Sequence, residues 1–238
     1  MPYRRLPNTD QARLRALRVA VKMADSVAPA NLLFSQKIAL EVKAFLPHFE
    51  QAILRYGDNR NSQASLGKQV AEAGKHARLY LSHYIQVFNM CIARGEIKPE
   101  AREMIGMEAD HTTIPDITTD TQLIEWGAKV VEGEEKRQMS GFGNRIYNPS
   151  IAVVKVKLQQ FSDIYNTHRD MIQTINKYHD KLDEIRAKAD ELILSIWNEV
   201  EASQQPLNST EKRDICQDYG IVYFYRPNER HKAFLSMN

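Results

Sequence analysis

Any chemistry in this sequence would rest on a few histidines and carboxylates. Glu72, His76 and His83 are separated by four and seven residues, so on a helix they share one side. Such a set could supply metal ligands or a proton relay. A di-metal site in a helical bundle, however, repeats Glu-x-x-His on facing helices. His76 and His83 carry Ala73 and Tyr80 at that spacing instead. Both histidines flank an apolar stripe, so the competing expectation is that they cover the edge of a helix seam. Asp110, His111, Asp116 and Asp120 crowd a single loop, which suits either a cation or side-chain capping of the loop itself. Arg4, Arg5, Arg13, Arg15, Arg18 and Lys22 form a basic patch that could meet phosphates. No compact motif presenting base-reading residues accompanies it.

Other signatures are absent. Gly141-Phe142-Gly143 lacks the rest of a dinucleotide fingerprint and follows no strand. There is no phosphate-binding loop, serine nucleophile elbow, HExxH or pair of CxxC motifs. No cofactor is expected.

The element that must organise these residues is a long apolar seam. Alternating steps of four and three from Val154 pass through Leu158, Phe161, Tyr165, His168, Ile172, Ile175, His179, Leu182, Arg186, Ala189, Ile193, Ile196 and Val200. This coiled-coil-like period predicts one helix from about 150 to 202, packed lengthwise on other helices. At ~1.5 Å per residue such a helix spans roughly 80 Å. His168, His179 and Arg186 interrupt the seam with polar groups, which need partners if buried. The seam can also drift onto Tyr178 and Ile185, leaving His179 and Arg186 at its edge.

Shorter helices precede and follow it. Asn8 or Thr9 can cap a helix from Asp10 to about Val27 with Leu14, Leu17, Ala20, Val21 and Ala24 on its apolar face. A second helix begins after Ser35, and Gly57 to Ser62 reads as a turn or weak helical join before a third, Gln63 to Ala93. Pro99 opens a short helix to about Met107, and residues 108–120 read as an exposed loop. Thr119 and Gln122 resemble a capping box for the next helix, which runs into a charged end at Glu132 to Arg137. Asn148-Pro149 reads as a cap with proline at the first position of the long helix. A short helix from Thr210 to Asp218 ends at Gly220. Ile221 to Tyr225 has strand-like content but no obvious partner strand.

The fold class expected is therefore all-α: an elongated antiparallel helical bundle with one very long C-terminal helix and a short extended tail. Residues 1–203 are expected to form one bundle domain, with loops at 108–120 and 140–149. Residues 204–238 would add the short helix and tail. Two cysteines in 238 residues give no disulfide framework. With no secretory leader or membrane span read in the sequence, a cytoplasmic location is expected. Charge is uneven: residues 1–98 carry 15 Lys and Arg against 7 Asp and Glu, while residues 99–140 carry 4 against 10. Such segments can attract an acidic partner or neutralise one another by packing.

Six strings, LPNTDQARLRAL, FSQK, TQLIEWGAKVVEGEEKR, IYNPSIAVVKV, ADELILSIWNEVE and YGIVYFYRP, together resemble an uncharacterised bacterial family of predicted all-helical proteins. The resemblance spans most of the chain. It implies an all-helical protein and brings no activity, cofactor or site residue with it.

The functional expectation is a non-enzymatic structural or protein–protein interaction protein that associates with a partner or with itself. Ile221, Tyr223, Phe224 and Tyr225 of the tail, with Arg15, Arg18 and Lys22, are the expected interaction residues. One alternative is a bundle enzyme or metal- or ligand-binding protein built on histidines and carboxylates, with Glu72, His76 and His83 as metal candidates. A second is nucleic-acid binding through the basic N-terminal segment.

Overall fold

A computed structural model describes residues 3–204 and 209–224. Tyr225 of the expected interaction set lies outside them. Among the described residues the regular elements are helices and one two-stranded ladder. Its elements are β1 (Tyr3–Arg4), α1 (Asp10–Ser26), α2 (Gln36–Ala93), α3 (Ala101–Met104), α4 (Asp120–Met139), α5 (Ile151–Ser203), α6 (Ser209–Asp218) and β2 (Tyr223–Phe224). The very long helix expected from the seam is α5.

Local chemistry sets the helix ends. The Thr9 side chain accepts from the Ala12 amide and starts α1. Thr119 and Gln122 form a complete capping box at α4, which satisfies two amides that otherwise lack helical partners. Gly95 follows α2 at φ 74° and Gly141 follows α4 at φ 67°, left-handed positions that glycine takes without a Cβ clash.

Three boundaries differ from the sequence reading. Gly57 to Ser62 is not a turn: the apolar phases on either side agree, and α2 runs through it without a break. Asn59 donates to the Arg55 carbonyl one turn back, keeping its side chain on the helix. Pro149 is buried ahead of α5 rather than inside its first turn, and the Val154 amide instead reaches the Ser150 carbonyl at 3.3 Å. The helix after Pro99 shrinks to Ala101–Met104, because Gly106, at φ 82°, turns the chain there.

Contacts divide the chain into two compact units. The first comprises residues 3–59 with 175–204 and 209–224 of the described chain. Its core gathers Leu17 of α1, Phe49 of α2, Leu182, Ile193, Trp197 and Val200 of α5, and Cys216 beyond α6's midpoint. Burying a Leu, Ile or Phe side chain contributes about 1.5–3 kcal/mol, so this apolar face is what holds α1 on the unit. Two bidentate pairs reinforce it: Arg13 on Asp190 at 2.8 Å, and Arg186 on Asp10 at 2.6 and 2.8 Å. Arg186 thus meets its buried-edge position in the seam with a carboxylate.

The second unit is residues 60–174. Its core comprises Ala77, Tyr84 and Phe88 of α2, Leu123 and Val130 of α4, and Val154 and Phe161 of α5. Glycines allow α4 to approach its neighbours closely. A Cβ at Gly127 would lie 2.6 Å from a Leu158 methyl, and one at Gly133 would lie 2.0 Å from the Met104 carbonyl oxygen.

Candidate functional site

The histidines and carboxylates singled out by spacing do not converge. Glu72 and His76 form an exposed pair at 3.3 Å one helical turn apart, and His83 is exposed. Among the described residues no group of three His, Cys, Asp or Glu side chains is arranged to hold a metal. His168 is half-buried in the second unit, opposite Gly67, where a Cβ would stand 3.6 Å from its Nε2. The small neighbour leaves room for an imidazole in the seam. His179 is exposed, pairs with Asp183 at 3.2 Å and meets the Tyr56 ring edge. Ile185 takes up packing on the first core, as the drift of the seam implies.

The acidic loop is occupied by its own hydrogen bonds. Asp116 accepts from the Thr118 amide and hydroxyl, which hold its carboxyl below the usual range. Asp120 binds Arg78 at 2.6 Å, and the same guanidinium donates to the Ile117 carbonyl.

The most buried charged pair lies where the sequence shows only a charged helix end. Glu134 and Arg137 of α4 are both 0% exposed and bidentate at 2.7 Å. Arg137 also donates to the carbonyls of Phe142 and Asn144, while Gln138 donates to Glu134 at 2.8 Å. The arginine lies 6.0 Å from the centroid of Phe88. Burial, then the negative charge of Glu134, push the Tyr84 hydroxyl upward in pKa. These contacts tie the turn after α4 to the helix. They sit in packed core, so the arrangement holds structure rather than substrate. Gly133, beside the pair, is the sequence signal for it: a glycine inside a helix marks a close backbone approach.

The basic N-terminal patch resolves into two kinds of arginine. Arg4 binds Glu201 at 3.0 Å, Arg13 binds Asp190, and Arg18 binds Glu50 at 2.8 Å. Arg5 and Arg15 have no ion pair among the described residues, and both border one cleft of the first unit. Lys22 and Arg18 lie instead on a separate shallow groove with Val21 and Leu46.

The cleft, about 280 Å³, is built by the segment before α1, the first turns of α1, Trp197 of α5 and residues 220–224. A short ladder shapes it. Tyr3 pairs with Phe224 and Arg4 with Tyr223, antiparallel, and the Arg5 amide donates to the Val222 carbonyl at 3.1 Å. The tail therefore does have a partner strand in its own chain. Tyr3–Arg4 is too short to show an alternating pattern, which hides it from a sequence reading. Glu201 anchors the ladder to α5, accepting from Arg4 and, at 2.7 Å, from the Tyr223 hydroxyl. Burial and that bond raise the Tyr223 pKa.

Chain direction at the cleft depends on Gly220, at φ 83°, where a Cβ would also press within 3.3 Å of Val19. Ile221 is then buried, while Val222 remains 49% exposed and Phe224 lies under the Arg5 guanidinium at 5.5 Å. Leu6 is 39% exposed at the cleft and Trp197 only 2%. Of the expected interaction residues, Arg15 and Phe224 come together here. Ile221 and Tyr223 support the wall, and Arg18 and Lys22 lie elsewhere.

No protein-family model, curated protein or solved structure matches this chain. No helix among the described residues is long and apolar enough to cross a membrane.

Proposed function

We propose that this is a non-enzymatic helical protein that works by binding a protein partner through the cleft of its first unit. What supports the reading is the contrast among the N-terminal arginines. Arg4, Arg13 and Arg18 are neutralised by carboxylates, whereas Arg5 and Arg15 have no ion pair among the described residues and lie beside exposed Leu6 and Val222. Arginine beside aromatic and aliphatic surface is the composition that protein interfaces favour. The cleft brings unmet charge and exposed apolar area together on one surface.

Comparative affinity capture from native lysate tests this, using the full chain and an Arg5→Gln/Arg15→Gln variant. The reading expects a partner retained by the natural protein and lost by the variant, including the case of a second copy, which light scattering would reveal as a fall in mass. Identical partners and identical mass for the two proteins would refute it.

A further inference from the structure

The chemistry of the cleft narrows the partner, on the reading that the cleft is a binding surface. We infer that it takes an acidic peptide segment, one large apolar side chain filling the cleft and neighbouring carboxylates meeting Arg5 and Arg15. Three observations carry this. The first is charge: two guanidinium groups border the cleft without a carboxylate among the described residues, although the adjacent Arg4 and Arg13 both have one. Guanidinium groups match carboxylates in geometry as well as sign.

The second is the lining. Leu6, Val19 and Val222 offer apolar wall, and Trp197 closes it. A nucleic-acid backbone would leave that surface unused. The third is size. At about 280 Å³ the cleft falls just short of the roughly 300–1,000 Å³ of drug-sized ligand sites. It suits a single side chain presented by a chain that continues outside. The exposed Tyr3, beside Phe224, extends apolar surface past the cleft for such a continuation.

The test is calorimetric titration of the full-length protein with a capped peptide, acetyl-Ser-Glu-Asp-Phe-Glu-Ser-amide. Its uncharged counterpart, with Gln and Asn replacing Glu and Asp, and decanoate are the comparison probes. The acidic peptide should bind about tenfold more tightly than the uncharged one, and the preference should weaken with rising salt. Arg5→Gln/Arg15→Gln should abolish the preference while shifting thermal unfolding only slightly, since both side chains are exposed and the one contact given up among the described residues is that of Arg5 with the Phe224 ring. Equal binding of the two peptides to the natural protein, a comparison that needs no variant, would overturn the inference. So would an acidic preference that survives in the variant. Decanoate binding that depends on both arginines, with no peptide binding, would overturn it in favour of a small amphipathic carboxylate. If native partners are lost by the variant but the peptide does not bind, only this partner chemistry fails. If native partners are also unchanged, the binding role of the cleft fails with it.

Discussion

Replacing Glu134 by Leu should destabilise the second unit by about 3–5 kcal/mol, the usual cost of breaking a buried ion pair from one side. The structure explains the size. Arg137 has no exposed surface, and among the described residues Glu134 is the one carboxylate bonded to it. After the substitution the guanidinium would keep only the carbonyls of Phe142 and Asn144 and the face of Phe88. Arg137→Met should cost a similar amount, because Glu134 would retain only the Gln138 amide as donor. The double variant Glu134→Leu/Arg137→Met removes both charges. Phe142 is half-buried and Asn144 exposed, so water can reach the carbonyls released. The remaining cost should be about 1–3 kcal/mol, that of imperfectly satisfied polar groups. The two single changes should therefore be strongly non-additive, with a coupling of at least ~3 kcal/mol. Urea unfolding followed by far-ultraviolet circular dichroism and by the fluorescence of Trp126, which lies in this unit, measures it. Single-variant costs below about 1 kcal/mol, or costs that simply add, would refute the view that this pair is a desolvated, mutually dependent unit.

Two glycines of the helices should respond in opposite directions to alanine. Gly57→Ala should stabilise by roughly 0.5–1 kcal/mol, since nothing lies within 4 Å of its Cβ site and α2 is helical there. Gly133→Ala should cost about 1–3 kcal/mol or more in the same urea titration, because its Cβ would meet the Met104 backbone. Arg186 holds the Asp10 carboxyl below its ordinary value of 3.8, chiefly through hydrogen bonds. A depressed folded-state pKa gives stability present above the unfolded value and lost as pH falls through the folded one. Asp10→Asn should therefore be less stable than the natural protein at neutral pH, and the difference should shrink in unfolding curves taken toward pH ~3. Proteinase K should cut first within Thr112–Ile114, which is exposed in the loop between α3 and α4, with first cuts inside α2 or α5 counting against the assignment.

Regular periodicity made the helices legible. The fourteen seam positions from Val154 to Val200 are one uninterrupted helix, and the apolar face of α1 reads directly as Leu14, Leu17 and Ala20. Capping chemistry was equally local: Thr9, Thr119 and Gln122 act within a single turn. Gly57 to Ser62 misled because a glycine followed by five polar residues favours a turn, while the agreement in apolar phase on either side outweighs it within a long helix. The cleft was only half legible. Arg15 and Phe224 stand out by type, but nothing in the sequence distinguishes Arg5 and Arg15 from Arg4 and Arg13. That difference depends on carboxylates 197 and 177 positions away, Glu201 and Asp190. The buried status of Glu134 and Arg137 was hidden for the same reason, since charged residues at a helix end normally face water.

Site-specific photo-crosslinking tests the binding claim most directly. Leu6, exposed at the cleft, and Leu54, exposed on α2 of the same unit, would each be replaced by benzoylphenylalanine in the full chain. Irradiation in native lysate should give a discrete protein adduct from position 6 that disappears when Arg5 and Arg15 are changed to Gln, and none from position 54. Absence of any adduct at position 6, or equal adducts at both positions, would contradict a partner-binding role for the cleft.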